Sequence, residues 1–237
     1  MICMSDRLIV KNAHSDHAMH YRRVIVHELA HMWFGNLVTM VWWNDLWLKE
    51  SFADFSAATC LAECETLKND YPEWIHYPLI FTEKALGADL QPWTHPIAAE
   101  IDHTGEGENV FDMISYAKGA CWVRVLDNYV GRPVLKRGMQ MYFDKFANSN
   151  TEIHDLVSCI NDANTEINGE EEFGKTTLMS WTDQWLKSQG PNTLIVQRDR
   201  YSPEKLNIRQ DFGSLASSMV YRSQKLDILL FGDQPDQ

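Results

Sequence analysis

His27-Glu28-Leu29-Ala30-His31 places two imidazoles four residues apart, with a carboxylate between them. On a helix, residues four apart lie one turn apart on the same face, so both rings can grip one metal ion. Glu28 then sits where it can act on a water held by that metal. Glu50 follows His31 after eighteen intervening residues and, carried on a second helix, can supply a third ligand. Two histidines and a carboxylate that leave the fourth position open make a catalytic zinc site rather than a structural one.

The five-residue pattern is short, and the competing reading is a pair of core histidines satisfied by backbone carbonyls. The surroundings favour the metal. Val24-Ile25-Val26 precedes the motif and Met32-Trp33-Phe34 follows it. Apolar residues at helical period predict a buried helix over about 21–34, ended by Gly35-Asn36. Two histidines and a glutamate left unpaired in such a helix would cost roughly several kcal/mol, which a bound cation removes.

Other elements must bring Glu50 to that helix. Residues 37–43 read as a short apolar link. Asn44 or Asp45 can cap the next helix, which carries Glu50 and continues to about residue 66. Further helices are expected over about 75–86, 112–130, 134–146, 153–163 and 177–188. Gly131 and Pro133 stop the second of these. Gly190-Pro191 marks a boundary, after which 193–197 and 225–230 read as short strands. Trp33, Trp42, Trp43 and Trp47 are expected in the core. Cys60 and Cys64, one helical turn apart, read as small buried residues.

The run VIVHELAHMWFGNLVTMVWWNDLWLKESFADF resembles the zinc aminopeptidases of the aminopeptidase N type. So do HPI and ENVFDMISYAKGACWVRVL further on, and WTDQWLKSQGPNTLIV near the end of the match. The similarity covers about residues 20–195. It implies a mainly α fold: a thermolysin-like zinc peptidase catalytic domain over 1–190, then the start of a small β-domain over 191–237. It implies one zinc per chain on His27, His31 and Glu50. It makes Glu28 the base and Tyr116 the donor to the oxyanion, a choice that spacing cannot make among eight tyrosines. The partners it implies are peptide substrates with a free N-terminus.

Zinc-bound histidines usually donate their second N–H to a carboxylate. Asp54, four residues after Glu50 on the same helix face, is the candidate to orient His27; a solvated helix acid is the other reading. The resembled family also carries a Gly-x-Met-x-Asn strand and a β-domain upstream of the zinc motif. Only 26 residues precede His27, and none shows that strand pattern. The expectation is therefore an N-terminally truncated catalytic domain that, alone, shows little or no aminopeptidase activity. An inactive zinc-binding or partner-binding fragment is the alternative, and epoxide hydrolysis on a related zinc core a third.

Composition narrows the classes. The 237 residues carry a net charge of −12 with 45% hydrophobic content, enough for a core and the wrong sign for nucleic acid. No run of eighteen apolar residues suggests a membrane span, and no signal-peptide pattern opens the chain. Five cysteines without regular spacing fit a reduced, cytoplasmic setting. His14, His17 and His20 read as a solvated lead-in. Gly169-Glu170-Glu171-Glu172-Phe173-Gly174-Lys175-Thr176 matches a phosphate loop by letter, but no buried strand precedes it and three glutamates oppose phosphate.

Overall fold

The structure is a computed structural model that describes residues 2, 16–67, 72–169, 176–202, 205–212 and 221–224. Most of the chain is helical. The helices are α1 (Asp16–Ala30), α2 (Trp47–Glu63), α3 (Glu73–Tyr77), α4 (Glu83–Asp89), α5 (Gly119–Val130), α6 (Arg132–Phe146), α7 (Ile153–Asn168) and α8 (Leu178–Leu186). β1 (Val38–Met40) pairs in parallel with β2 (Ser149–Thr151), and β3 (Asn192–Arg198) pairs antiparallel with β4 (Leu206–Phe212). The strand expected over 225–230, the phosphate-loop look-alike over 170–175, and His14 lie outside the described residues. Among the described residues, no helix is long and apolar enough to cross a membrane.

α2 is the central helix, buried on nearly every side. Its Ala53, Ala57 and Ala58 let neighbouring helices approach closely, while Trp47, Phe52 and Phe55 fill the space between them. Trp47 meets Trp122 of α5 edge-on at 5.3 Å, and Trp122 stacks on Trp181 of α8 at 5.9 Å. α5 buries Gly119, Ala120, Trp122, Val123, Leu126 and Val130, the spacing of one helical face. It stops at Gly131, whose φ of 89° suits glycine. α6 lies against α7, where Gly138 leaves room for the Ile160 backbone.

Several expectations need correction. α1 ends at Ala30, not at residue 34. Asn36, Leu37 and Val38 instead donate to the carbonyls of His31, Met32 and Trp33, a wide i to i+5 turn closed at Gly35 with φ 117°. That turn carries Trp33 outward, and it is 52% exposed; Trp42 is 41% exposed, so of the four tryptophans only Trp47 is buried. Neither Asn44 nor Asp45 caps α2 through its side chain. Asp45 instead accepts from the Trp47 indole at 3.1 Å. Cys60 is exposed and Cys64 half-buried. The helix expected over 75–86 spans α3 to α4 but widens into a π-turn at Pro78–Thr82; proline has no N–H to continue an α ladder.

Candidate metal centre

α1 and α2 cross so that His27, His31 and Glu50 face one another. The two Nε2 atoms are 3.0 Å apart, and Glu50 Oε2 lies 3.4 Å from His27 Nε2 and 3.3 Å from His31 Nε2. Ligand atoms about 2.0–2.1 Å from a common tetrahedral centre stand roughly 3.3 Å apart, so the triangle has the size a zinc ion requires. These three residues form the one group of metal-binding side chains found among the described residues.

Their protonation pattern makes the same point. His27 Nδ1 lies 2.8 Å from Asp54 Oδ1, and His31 Nδ1 lies 2.9 Å from the Phe34 carbonyl oxygen. Both partners only accept, so each Nδ1 carries a hydrogen, and in the neutral ring Nε2 is the nitrogen with the lone pair. With both rings neutral, two lone pairs and a carboxylate oxygen would converge with no donor between them. Such a cluster needs a cation or a proton. Burial opposes charging His27, but hydrogen bonds from the ring to Asp54 and Glu50 outweigh it and lift the pKa to about 9. Burial likewise opposes ionising Glu50, yet the two imidazoles and Lys49 hold its carboxyl far below the usual range. Lys49 Nζ reaches the other Glu50 oxygen at 3.3 Å.

The remaining site candidates line one cleft of about 290 Å³, in which Glu28, Asp54 and Tyr116 join His27. Glu28 follows His27 on α1 and is half-buried. Tyr116 belongs to a π-turn, Ile114–Lys118, that leads into α5. Its ring lies nearly parallel to His27, with centroids 6.0 Å apart. Burial, then the Glu50 charge, pushes its phenol well above the ordinary tyrosine range.

Several supports have no sequence signal. Arg23, one turn before His27, grips the buried Glu73 of α3 with three contacts of 2.6–2.9 Å. That ion pair anchors α1 and removes Arg23 as a free cation in the cleft. Asp112 Oδ1 accepts from the N–H groups of Ile114 and Ser115, and its other oxygen meets His95. Lys118 Nζ reaches the buried Asp89 at 2.8 Å. The three ion pairs join residues 17 to 50 positions apart, beyond the reach of local spacing, whereas the Asp112 bonds from Ile114 and Ser115 are local.

Known proteins add the family context. The peptidase family M1 domain matches residues 1–185. Aminopeptidase N of Streptomyces lividans is 38% identical over 198 residues, covering 81% of this chain and 21% of that protein. Probable aminopeptidase 1 of Sulfurisphaera tokodaii is 44% identical over 202 residues, 84% of this chain and 24% of that one. Leucyl aminopeptidase of Saccharolobus solfataricus is 43% identical over 139 residues, 59% of this chain and 17% of that one. The chain spans about a fifth of the length of the curated relatives it matches.

Proposed function

This chain belongs to the peptidase M1 family, and from that premise we propose that it carries the catalytic centre of a zinc aminopeptidase. The substrates are peptides with a free N-terminus, and the bond cut is the first. One observation carries the reading: two imidazole nitrogens and a carboxylate oxygen converge within 3.4 Å, in a triangle of the size a zinc ion requires. The aminopeptidase names of the relatives support the substrate class.

His27, His31 and Glu50 would hold the zinc, which would polarise the scissile carbonyl and acidify water. The chain's own residues do the rest. Glu28 takes the proton of the attacking water and delivers it to the departing amine nitrogen. Tyr116 donates its O–H to the carbonyl oxygen as negative charge gathers there. Its raised pKa keeps it a donor throughout the neutral range. Asp54 accepts from His27 Nδ1, which fixes the ring's tautomer and aims Nε2 at the metal position.

The test is hydrolysis of an aminoacyl reporter by the complete gene product loaded with zinc. Glu28→Gln should keep the zinc and abolish turnover. Tyr116→Phe should keep the zinc and lower turnover by about a hundredfold or more, the usual loss for one oxyanion donor. An N-acetylated reporter should resist cleavage. Near-normal rates in either variant remove that residue from the mechanism, and equal cleavage of the acetylated reporter removes the exopeptidase reading. Full zinc content without any turnover would favour a partner-binding role.

A further inference from the structure

Tyr116 can act on a substrate at the metal only if its backbone keeps a fixed distance from Glu50. It sits in the middle of a π-turn, a geometry that is rare and found mostly at functional sites. The two ends of that turn are anchored by Asp112 and by the Lys118–Asp89 pair. Its backbone is tied to α2 at the Ser115 carbonyl. Ser51, fully buried, donates its hydroxyl to the Ser115 carbonyl at 2.6 Å.

The hydroxyl fits because Gly119 has no side chain. A Cβ on Gly119 would stand 1.8 Å from Ser51 Oγ and 2.9 Å from Ser51 Cβ. α2 and the start of α5 therefore touch through a serine on one side and bare backbone on the other. The residue before Ser51 is Glu50, and the residue after Ser115 is Tyr116. The bond ties the neighbour of one site residue to the neighbour of the other, across 64 positions of sequence.

We propose that Ser51 is a positioning residue for Tyr116, setting the phenol against the metal ligands through the Ser115 carbonyl. The proposal rests on the role given to Tyr116 above. Without the hydroxyl, the Ser115 carbonyl loses its tie to α2, and the π-turn is free to relax toward ordinary α geometry. Such relaxation moves Tyr116 relative to Glu50, and small displacements of a group that acts on the transition state cost rate more than binding.

The experiment has two arms. In the first, 3-fluorotyrosine is placed at position 116 and read by 19F NMR in the zinc-loaded protein, which needs no turnover. Ser51→Ala should shift and broaden that resonance, while a fluorotyrosine at position 77, in α3, keeps its own. In the second, Ser51→Ala should lower kcat about tenfold with KM changed less than about twofold. The same substitution in a Tyr116→Phe background should then cost less than about twofold. Should Ser51→Ala fail to fold, Ser51→Cys, a much weaker donor, should move both readouts in the same direction. An unchanged resonance at 116, or equal losses in the two backgrounds, overturns the positioning role. A Tyr116→Phe variant with normal turnover overturns the role of Tyr116 instead, and the NMR arm still reports whether Ser51 holds that residue.

Discussion

Zinc binding at pH 7 should release about one proton, and that proton comes from His27. In the metal-free chain this ring titrates near pH 9, because its contacts with Asp54 and Glu50 outweigh burial. At pH 7 it is therefore almost fully protonated, and zinc must displace that proton to reach Nε2. Two pH units of competition weaken apparent zinc affinity about a hundredfold, or about 2.7 kcal/mol. Affinity should climb about tenfold per pH unit from 7 toward 9 and level off above. The sign also sets the stability of the metal-free fold. The folded pKa is raised, so this contribution is full below pH 6.5 and is lost as pH rises through about 9. Calorimetric zinc titrations in buffers of different ionisation enthalpy count the protons directly, with a competing chelator to bring the affinity into range. Asp54→Ala removes the main charged partner of the ring, so its proton release at pH 7 should fall. Compared at pH 9, where competition is nearly gone, Asp54→Ala should bind zinc roughly ten- to a hundredfold more weakly than the unaltered chain. No proton release at pH 7, or an affinity flat between pH 7 and 9, would refute the Asp54 and Glu50 contacts from which this follows.

Two further outcomes test the scaffold. Burial raises the Asp45 carboxyl to about 6 despite its bond from the Trp47 indole, so this group's contribution to stability is present below about pH 4 and lost as pH rises through 6. The stability difference between Asp45→Asn and the unaltered metal-free chain, read by urea unfolding, should shift in favour of the variant by about 3 kcal/mol from pH 4 to pH 7; a pH-independent difference would clear Asp45 of the effect. Gly138→Ala would place a Cβ 2.9 Å from the Ile160 Cα, so it should destabilise the α6–α7 contact by about 1–3 kcal/mol, and an unchanged unfolding midpoint would contradict the close packing.

What could be read in advance follows the range of the interaction. His27 and His31 meet because four residues make one helical turn, a purely local rule. Glu50 and Asp54 share a face of α2 for the same reason. Helix existence was equally legible from apolar period and from Gly131. Helix ends were not: the turn after Ala30 depends on i to i+5 bonds and on Gly35, and it sends Trp33 to the surface despite its apolar side chain. Asp45 looked like a cap because capping residues are read by type, yet its side chain serves a neighbouring indole. Tyr116 could be singled out only by family resemblance, since nothing local marks it. The Arg23–Glu73 and Ser51–Ser115 contacts join residues 50 and 64 positions apart and left no trace in the one-dimensional pattern.

The metal content of the purified protein tests the central claim most directly. After loading with zinc and removal of excess, the chain should hold one zinc, Glu28→Gln should hold one as well, and His31→Ala should hold far less. Zinc near zero in the unaltered chain, or full zinc in His31→Ala, would contradict a centre built on His27, His31 and Glu50.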